Sequence, residues 1–199
     1  MLVVFLAAVV GAGSLVQRAI ETAPSGALAG CHPTRLLAPR TYLGVPAMCI
    51  DRNRTYLADI QTIHGKITIS MSAKTDPETV NNFVVLAGNG FYNGLSFWHV
   101  QSWFAQAGDP LGNGRGGPGY FLPDEPSDGR WTAGAVGMAR EPGGRVNGSQ
   151  FFILKDNWPG GGPPNGVTYN RFGTVTKGLN LLATLTSGDR IISITVRPS

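Results

Sequence analysis

Residues 91–110, FYNGLSFWHVQSWFAQAGDP, constrain the fold most, because this segment concentrates aromatic side chains between two glycine turns. Asn93-Gly94 near its start is a strong short-range signal for a hairpin turn, and Gly108-Asp109-Pro110 closes it. Two apolar runs lie between these turns, at residues 95–100 and 103–107. Two such short strands cannot bury every aromatic ring inside a small barrel, so we expect some rings to line a groove.

The composition predicts one loop-rich domain and a tail. The chain of 199 residues is 42% hydrophobic, which is enough for one core. It contains 28 Gly and 14 Pro, and only 14% of its residues are charged, a balance typical of turn-rich β or α+β proteins. The net charge of +4 comes from scattered Lys and Arg without a basic run, so we expect no binding to nucleic acid.

The N-terminal segment, residues 1–23, predicts a signal or anchor. Its first 16 residues are uncharged and mostly apolar. That block is short for a membrane span of about 20 residues but fits the core of a signal peptide or a short anchor. We therefore expect an extracytoplasmic protein of bacterial type, secreted or attached to the membrane through this segment.

Residues 24–55, rich in Pro and Gly, predict a linker that contains both cysteines, Cys31 and Cys49. In an oxidising compartment the two would form a disulfide, and a loop of this size is worth about 3 kcal/mol in the chain-entropy model. A second interpretation is that Leu28-Ala29-Gly30-Cys31 is a lipobox in which Cys31 is acylated, although charged residues separate it from the apolar block.

The folded domain is expected at residues 56–199. Residues 56–62 and 66–71 alternate apolar and polar side chains around His64-Gly65, which predicts a hairpin with one buried face. Asp76 and Pro77 predict the start of a helix that ends at Gly88. Residues 147–154 and 191–196 predict further strands.

Several common kinds of site are not expected. The GxGxxG pattern at residues 112–117 is followed by Pro118-Gly119 and not by a helix, so it reads as a glycine loop beside the groove and not as a dinucleotide site. His32, His64 and His99 have no metal-ligand spacing. We expect neither a metal nor a cofactor.

Taken in order, the motifs of this chain resemble those of the cyclophilin-type peptidyl-prolyl cis-trans isomerases. The matching segments are Phe91-Tyr92-Asn93-Gly94-Leu95, Phe97, Gln106-Ala107-Gly108-Asp109-Pro110, Gly116-Gly117-Pro118-Gly119-Tyr120 and Asn147-Gly148-Ser149-Gln150-Phe151-Phe152. The resemblance spans about residues 56–196. It implies a mostly β fold, a closed eight-stranded antiparallel barrel capped by two helices, the second of which contains residues 181–185.

The resemblance also implies isomerisation of X-Pro bonds in exported proteins during folding. Rotation about such a bond faces a barrier of about 18–20 kcal/mol, because the amide nitrogen is conjugated with the carbonyl. An apolar pocket for the proline ring, hydrogen bonds to the flanking backbone and a donor aimed at the prolyl nitrogen would lower it. Proline-containing polypeptides are the expected partners, and we expect a monomer.

Carried over residue by residue, the resemblance assigns catalytic roles to His99 and Gln106. The substrate-binding residues would be Trp103, Phe104, Met138 and Phe152 in the pocket, Val167 or Tyr169 on its far wall, Gln150 on the backbone, and Ala139 and Arg140 along the peptide track.

The chain departs from the family at the catalytic arginine. The family's His-Arg pair reads Trp98-His99 here, and the segment to Gln106 is one residue short. His99 takes the arginine's place if the gap falls after Val100. A neutral imidazole is a weaker donor than a guanidinium, which predicts weak turnover or, alternatively, a catalytically impaired module that binds proline-containing peptides as a chaperone. Arg115 or Arg140 could also supply the guanidinium from neighbouring loops.

Overall fold

A computed structural model describes residues 28–125, 129–141, 144–164 and 166–199. These residues form one α-helix, two short 3-10 helices at Pro159–Gly161 and Leu179–Thr184, and eleven strands. In chain order the elements are β1 (Leu36–Ala38), β2 (Thr41–Tyr42), β3 (Thr55–Thr62), β4 (Gly65–Ser72), α1 (Pro77–Gly88), β5 (His99–Val100), β6 (Phe104–Ala107), β7 (Phe121–Leu122), β8 (Ala135–Arg140), β9 (Val146–Leu154), β10 (Gly173–Lys177) and β11 (Ile191–Pro198). The predicted mostly β class is confirmed.

Nine of these strands form one curled antiparallel sheet in the order β11-β3-β4-β10-β8-β9-β6-β5, with β7 paired to β9. The prediction of a closed eight-stranded barrel is wrong, because the end strands β11 and β5 do not pair with each other. Among the described residues, the segments next to these two strands are joined by an isolated bridge between Ser96 and Arg190 and by long-range backbone hydrogen bonds, such as Phe97 N–H to Asp189 C=O at 2.8 Å. The sheet is therefore an open half-barrel.

The first hairpin and the last strand form as the alternation predicts. Every second residue of β3 is buried, and β3 pairs with β4 through a tight turn at Ile63-His64. Strand β11 pairs back with β3, with Ile194 opposite Ile60.

Helix α1 spans the predicted residues, but its N-terminus is capped from elsewhere in the chain. Asp76 makes no side-chain capping bond. Instead, the Glu125 carboxylate accepts hydrogen bonds from the backbone N–H groups of Glu78 and Thr79, at 2.9 and 2.7 Å. A carboxylate at this end also suits the helix dipole.

The second predicted helix is a single 3-10 segment, Leu179–Thr184, in which only Leu182 is buried. Residue 185 lies just beyond it, in an extended conformation.

The segment predicted as a linker packs onto the sheet from Leu28 onward. A disulfide joins Cys31 to Cys49, and Cys31 is buried. Side chains of α1 and of the residue after it hold both ends of this bridge, because Asn81 accepts from Cys49 N–H and Asn89 donates to Cys31 C=O, each at 2.9 Å. The predicted signal or anchor, residues 1–23, lies outside the described residues. Within the described ranges, no helix is both long and apolar enough to span a bilayer.

Candidate functional site

Strand alternation sorts the apolar side chains of β8 and β9 onto two faces. Val136 and Met138 point into the main core, whereas Ala135, Ala139 and Phe152 belong to a second apolar cluster on the other face. The other members of that second cluster are Phe104, Trp131 and Leu154, with Trp103, Trp158 and Tyr169 packed against them.

Phe152 lies at the centre of an aromatic cluster. Its ring centroid is 5.7 Å from Trp131, 5.9 Å from Trp158 and 5.6 Å from Tyr169. The rings approach this closely because residue 137 is glycine: a Cβ there would lie 2.8 Å from both Phe152 and Trp131. Gly137 therefore makes room for the cluster on β8.

Phe152, Trp158 and Tyr169 line a cavity of about 270 Å³. Most of the predicted site residues line it together: His99, Trp103, Phe104, Gln106, Ala139, Arg140, Phe152 and Tyr169. Gln101 and Trp158 line it as well and were missed by the sequence analysis, as was Trp131 behind Phe152. All three lie outside strands and helices, where the pattern of the sequence does not give the direction of a side chain.

Three predicted site residues do not line this cavity: Met138, Val167 and Gln150, the last of which lines a neighbouring cavity. Met138 is fully buried in the main core, because it lies one residue before Ala139 on β8 and so points to the opposite face. Val167 is 40% exposed and lies outside the lining. The far wall is formed by Tyr169.

A chain of amide groups fixes Gln106 in the cavity. The buried Gln150 donates from Nε2 to the carbonyls of Gly116 and Gly114, at 2.8 and 3.2 Å. Its Oε1 must then accept, and it accepts from Gln106 Nε2 at 2.9 Å. Gln106 Oε1 is left facing the cavity with no hydrogen bond from a described residue, so it can accept one from a ligand N–H.

The amide group of Gln101 determines which nitrogen of His99 accepts a hydrogen bond. Gln101 Oε1 accepts from the indole N–H of Trp103 at 3.2 Å, so its amide nitrogen faces His99 Nε2, 3.1 Å away. That nitrogen is a donor, and His99 Nε2 is therefore the acceptor. In the neutral imidazole the proton then lies on Nδ1. The ring also packs edge-on against Phe104, with centroids 4.9 Å apart.

Neither neighbouring arginine offers a free guanidinium to this cavity. Arg140 is 11% exposed in its side chain and bonds to Thr168, Gly144 and Asp124, which occupies four of its five N–H donors. Arg115 lines a different cavity. Across the described ranges, no cluster of three or more His, Cys, Asp or Glu side chains could hold a metal ion.

Three comparisons with known proteins bear on this site. Residues 57–196 match the family described as cyclophilin type peptidyl-prolyl cis-trans isomerase/CLD. A peptidyl-prolyl cis-trans isomerase of Synechococcus elongatus is 39% identical over 142 residues, which cover 70% of this chain and 94% of that protein. Peptidyl-prolyl cis-trans isomerase B of Bacillus subtilis is 41% identical over 128 residues, which cover 63% of this chain and 86% of that protein.

A solved structure is similar in fold as well. The crystal structure of a Cryptosporidium parvum cyclophilin type peptidyl-prolyl cis-trans isomerase in the presence of the dipeptide Ala-Pro matches with a TM-score of 0.61 and 26% sequence identity. The match covers 72% of this chain and 99% of that one.

Proposed function

The chain belongs to the family of cyclophilin-type peptidyl-prolyl cis-trans isomerases, and we propose that it isomerises X-Pro bonds of exported polypeptides in the aromatic cavity around Phe152. One observation carries the proposal. A largely aromatic cavity of about 270 Å³, which has room for a proline ring, lies directly beside Gln106, whose free amide oxygen can hold a peptide backbone.

In this proposal the proline ring enters the cavity and contacts Phe152, Trp158 and Tyr169. Burial of the ring between these side chains supplies binding energy of about 25 cal/mol per Å² of apolar surface. Gln106 Oε1 accepts from a backbone N–H beside the proline. With the ring held and one flank fixed, rotation is confined to the X-Pro bond.

The planar amide loses its conjugation as it twists, and the prolyl nitrogen then becomes a hydrogen-bond acceptor. A donor at that nitrogen binds the twisted state more strongly than either planar state and so lowers the barrier. His99 supplies that donor from its Nδ1–H. The imidazole carries no permanent charge, so we expect turnover below that of a family member with arginine at this position.

The location outside the cytoplasm is also proposed. Two features support it: the uncharged apolar block at residues 1–16 and the Cys31–Cys49 disulfide, which persists in oxidising compartments. The clients would then be polypeptides that fold after export.

A second candidate function is binding of proline-containing segments without turnover. It is favoured by two contacts, because His99 Nε2 accepts from Gln101 and the Arg140 guanidinium is bonded to loops beside the cavity. Both leave the cavity without a charged donor.

Exchange spectroscopy by NMR on a short Ala-Pro peptide separates the two. We expect cis-trans exchange to accelerate with catalytic amounts of the protein. Phe152→Ala should lose about tenfold or more in both peptide affinity and exchange rate, because the floor of the cavity is removed. Ile192→Ala, an exposed apolar residue on β11, serves as the control and should behave as wild type. Binding without accelerated exchange would establish the second candidate, and neither binding nor exchange would refute both.

A further inference from the structure

A larger cavity of about 510 Å³ lies on the other side of the glycine loop. One wall is the turn between β1 and β2, at residues 39–41, and the opposite wall is formed by residues 110–117. Its floor includes Tyr120, Phe121 and Asn147, where β7 pairs with β9.

The wall contributed by β1 and β2 is rigidly attached. Arg40 donates from Nε to Phe91 C=O and from a terminal nitrogen to Asn93 C=O, at 2.9 and 2.7 Å. Tyr42 N–H donates to Pro118 C=O at 2.8 Å. This wall precedes residues 57–196, so it is an addition to the part of the chain that matches the family.

A third cavity of about 230 Å³ lies between the large cavity and the aromatic one and has lining residues in common with both. The third cavity shares Gln106, Ala139 and Arg140 with the aromatic cavity. It shares Glu141 and Asn147 with the large cavity. The three cavities are therefore neighbours in a row, called the groove below, which leads from Phe152 past the two glutamines to the β1–β2 turn.

The far end of this groove carries excess positive charge. Arg115 is exposed, and its guanidinium has no hydrogen bond or ion pair with any residue that the structure describes. The one carboxylate in the lining, Glu141, is already 3.8 Å from the guanidinium of Arg145, which stacks over the Phe121 ring. Arg40 is engaged with two carbonyls, which leaves Arg115 as the available cation.

We propose that the large cavity is an extension of the substrate groove, and that Arg115 gives it a preference for polypeptides with an acidic residue flanking the X-Pro site. The proposal rests on the proposed function, because the residues that flank the X-Pro site reach the large cavity only when the proline is held near Phe152. The occupant of the large cavity is therefore the same polypeptide that carries that proline. The row of neighbouring cavities and the unpaired guanidinium are the two observations behind it.

The test compares peptides that share one Ala-Pro centre. Glu is moved through the flanking positions on each side of the proline, with Gln peptides as the neutral reference, and kcat/KM is measured by exchange spectroscopy at low ionic strength. We expect Glu to be preferred about two- to fivefold over Gln on one side only, as is usual for a single solvent-exposed ion pair. The preference should shrink as salt is added.

Three variants make the result specific to the cavity. Arg115→Gln should remove the Glu-over-Gln preference, and Arg115→Glu should reverse it, so that Gln peptides are preferred over Glu peptides. Lys74→Gln removes the same charge from an exposed turn away from the groove and should keep the preference.

The possible outcomes separate the extension of the groove from the isomerase function. An equal rate for Glu and Gln peptides in wild type, or a preference that survives in Arg115→Gln, would overturn the extension while leaving the isomerase intact. Affinities measured by NMR titration give the same comparison if turnover is slow. Absence of both exchange and binding for every peptide would instead count against the proposed function.

Discussion

His99 lies directly opposite Gln106 on the antiparallel strands β5 and β6. The turn that joins the strands is tight and is closed by a hydrogen bond from Gln101 N–H to Phe104 C=O at 2.8 Å. The two residues therefore lie side by side at the cavity. This pairing is what the proposed donor role of His99 requires, with the one-residue gap placed after Val100.

Substitution of His99 tests that arrangement. We expect His99→Ala to lower kcat for an Ala-Pro peptide by about tenfold or more and to leave peptide affinity nearly unchanged, because a bond made mainly in the twisted state affects the rate and not ground-state binding. His99→Arg should raise kcat above wild type by restoring a charged donor. If His99→Ala retained full turnover, the donor would have to be another group.

Gln101 offers a second test of the donor. Its amide faces His99 Nε2, so Gln101→Glu would place a carboxylate there and favour the protonated ring, in which both nitrogens donate. At neutral pH we expect Gln101→Glu to turn over an Ala-Pro peptide faster than wild type, because a protonated ring is a stronger donor than a neutral one. Gln101→Ala removes the contact without adding charge and should not raise turnover. Equal turnover of all three proteins would show that the contact between residue 101 and His99 has no part in catalysis.

The sequence predicts the parts of this fold in which apolar side chains recur at a regular spacing. β3, β4, α1 and β11 follow from apolar patterning and from proline and glycine signals. The alternation is complete in β3, where every second residue is buried, whereas nine consecutive residues of α1 are buried. The two apolar runs of the aromatic segment predict strands of about five residues each, but the strands that form have two and four residues. Ser96, in the first run, pairs through an isolated bridge with Arg190 and not within a strand.

Within the site, the sequence predicts which residue types occur, but it does not always predict the direction in which each side chain points. Ala139 and Met138 are neighbours, and only the register of β8 against β9 decides which of them points to the cavity. Trp158 follows β9 in an irregular segment, so no period places it. The packing of residues 28–55 depends on contacts with distant carbonyls, such as that of Arg40 with Phe91, which local patterns do not encode.

Arg40 combines two roles that substitutions can separate. It has φ of 56°, in the left-handed region, and its guanidinium holds the β1–β2 turn. Arg40→Ala loses the two guanidinium hydrogen bonds and keeps the free-energy cost of a left-handed backbone. Arg40→Gly loses the same hydrogen bonds, but glycine adopts this backbone without that cost. We expect Gly to be more stable than Ala here by roughly 0.5–1 kcal/mol in urea unfolding, with both below wild type. At Arg52, which has no positive φ, the order of the two variants should be reversed.

The disulfide should contribute to the stability of the whole domain. Cys31 and Cys49 are 18 residues apart, and closing such a loop restricts the unfolded chain. We expect the double variant Cys31→Ser/Cys49→Ser to lose about 3 kcal/mol of unfolding free energy. Reductant should lower the stability of wild type and not that of the double variant. Alkylation of intact protein without reductant gives the thiol count directly, and two modified cysteines in exported protein would refute the bond.

The hydrogen-bonded carboxylate of Asp59 should make the protein less stable in acid. Its carboxylate joins β3, β4 and β11, accepting from Thr68 at 2.8 Å, Arg197 at 2.8 Å and Lys66 at 3.4 Å. Burial raises the pKa of Asp59, but the hydrogen bonds from Thr68 and Arg197 and the nearby positive charge outweigh it and hold that pKa below the ordinary value of 3.8. The folded state thus binds a proton less readily than the unfolded chain, so this contribution is complete at neutral pH and is lost as pH falls through the folded pKa.

We therefore expect Asp59→Asn to be less stable than wild type by about 1 kcal/mol at pH 7, because the amide keeps only part of the bonding. The difference should shrink steadily below about pH 4 as the wild-type carboxylate is protonated. Urea unfolding of both proteins between pH 7 and pH 2.5 measures it. Asp156→Asn, at an exposed carboxylate on the loop after β9, is the matched control and should track wild type throughout. A gap between Asp59→Asn and wild type that stays constant down to pH 2.5 would mean that the variant disturbs packing and does not report on the charge of Asp59.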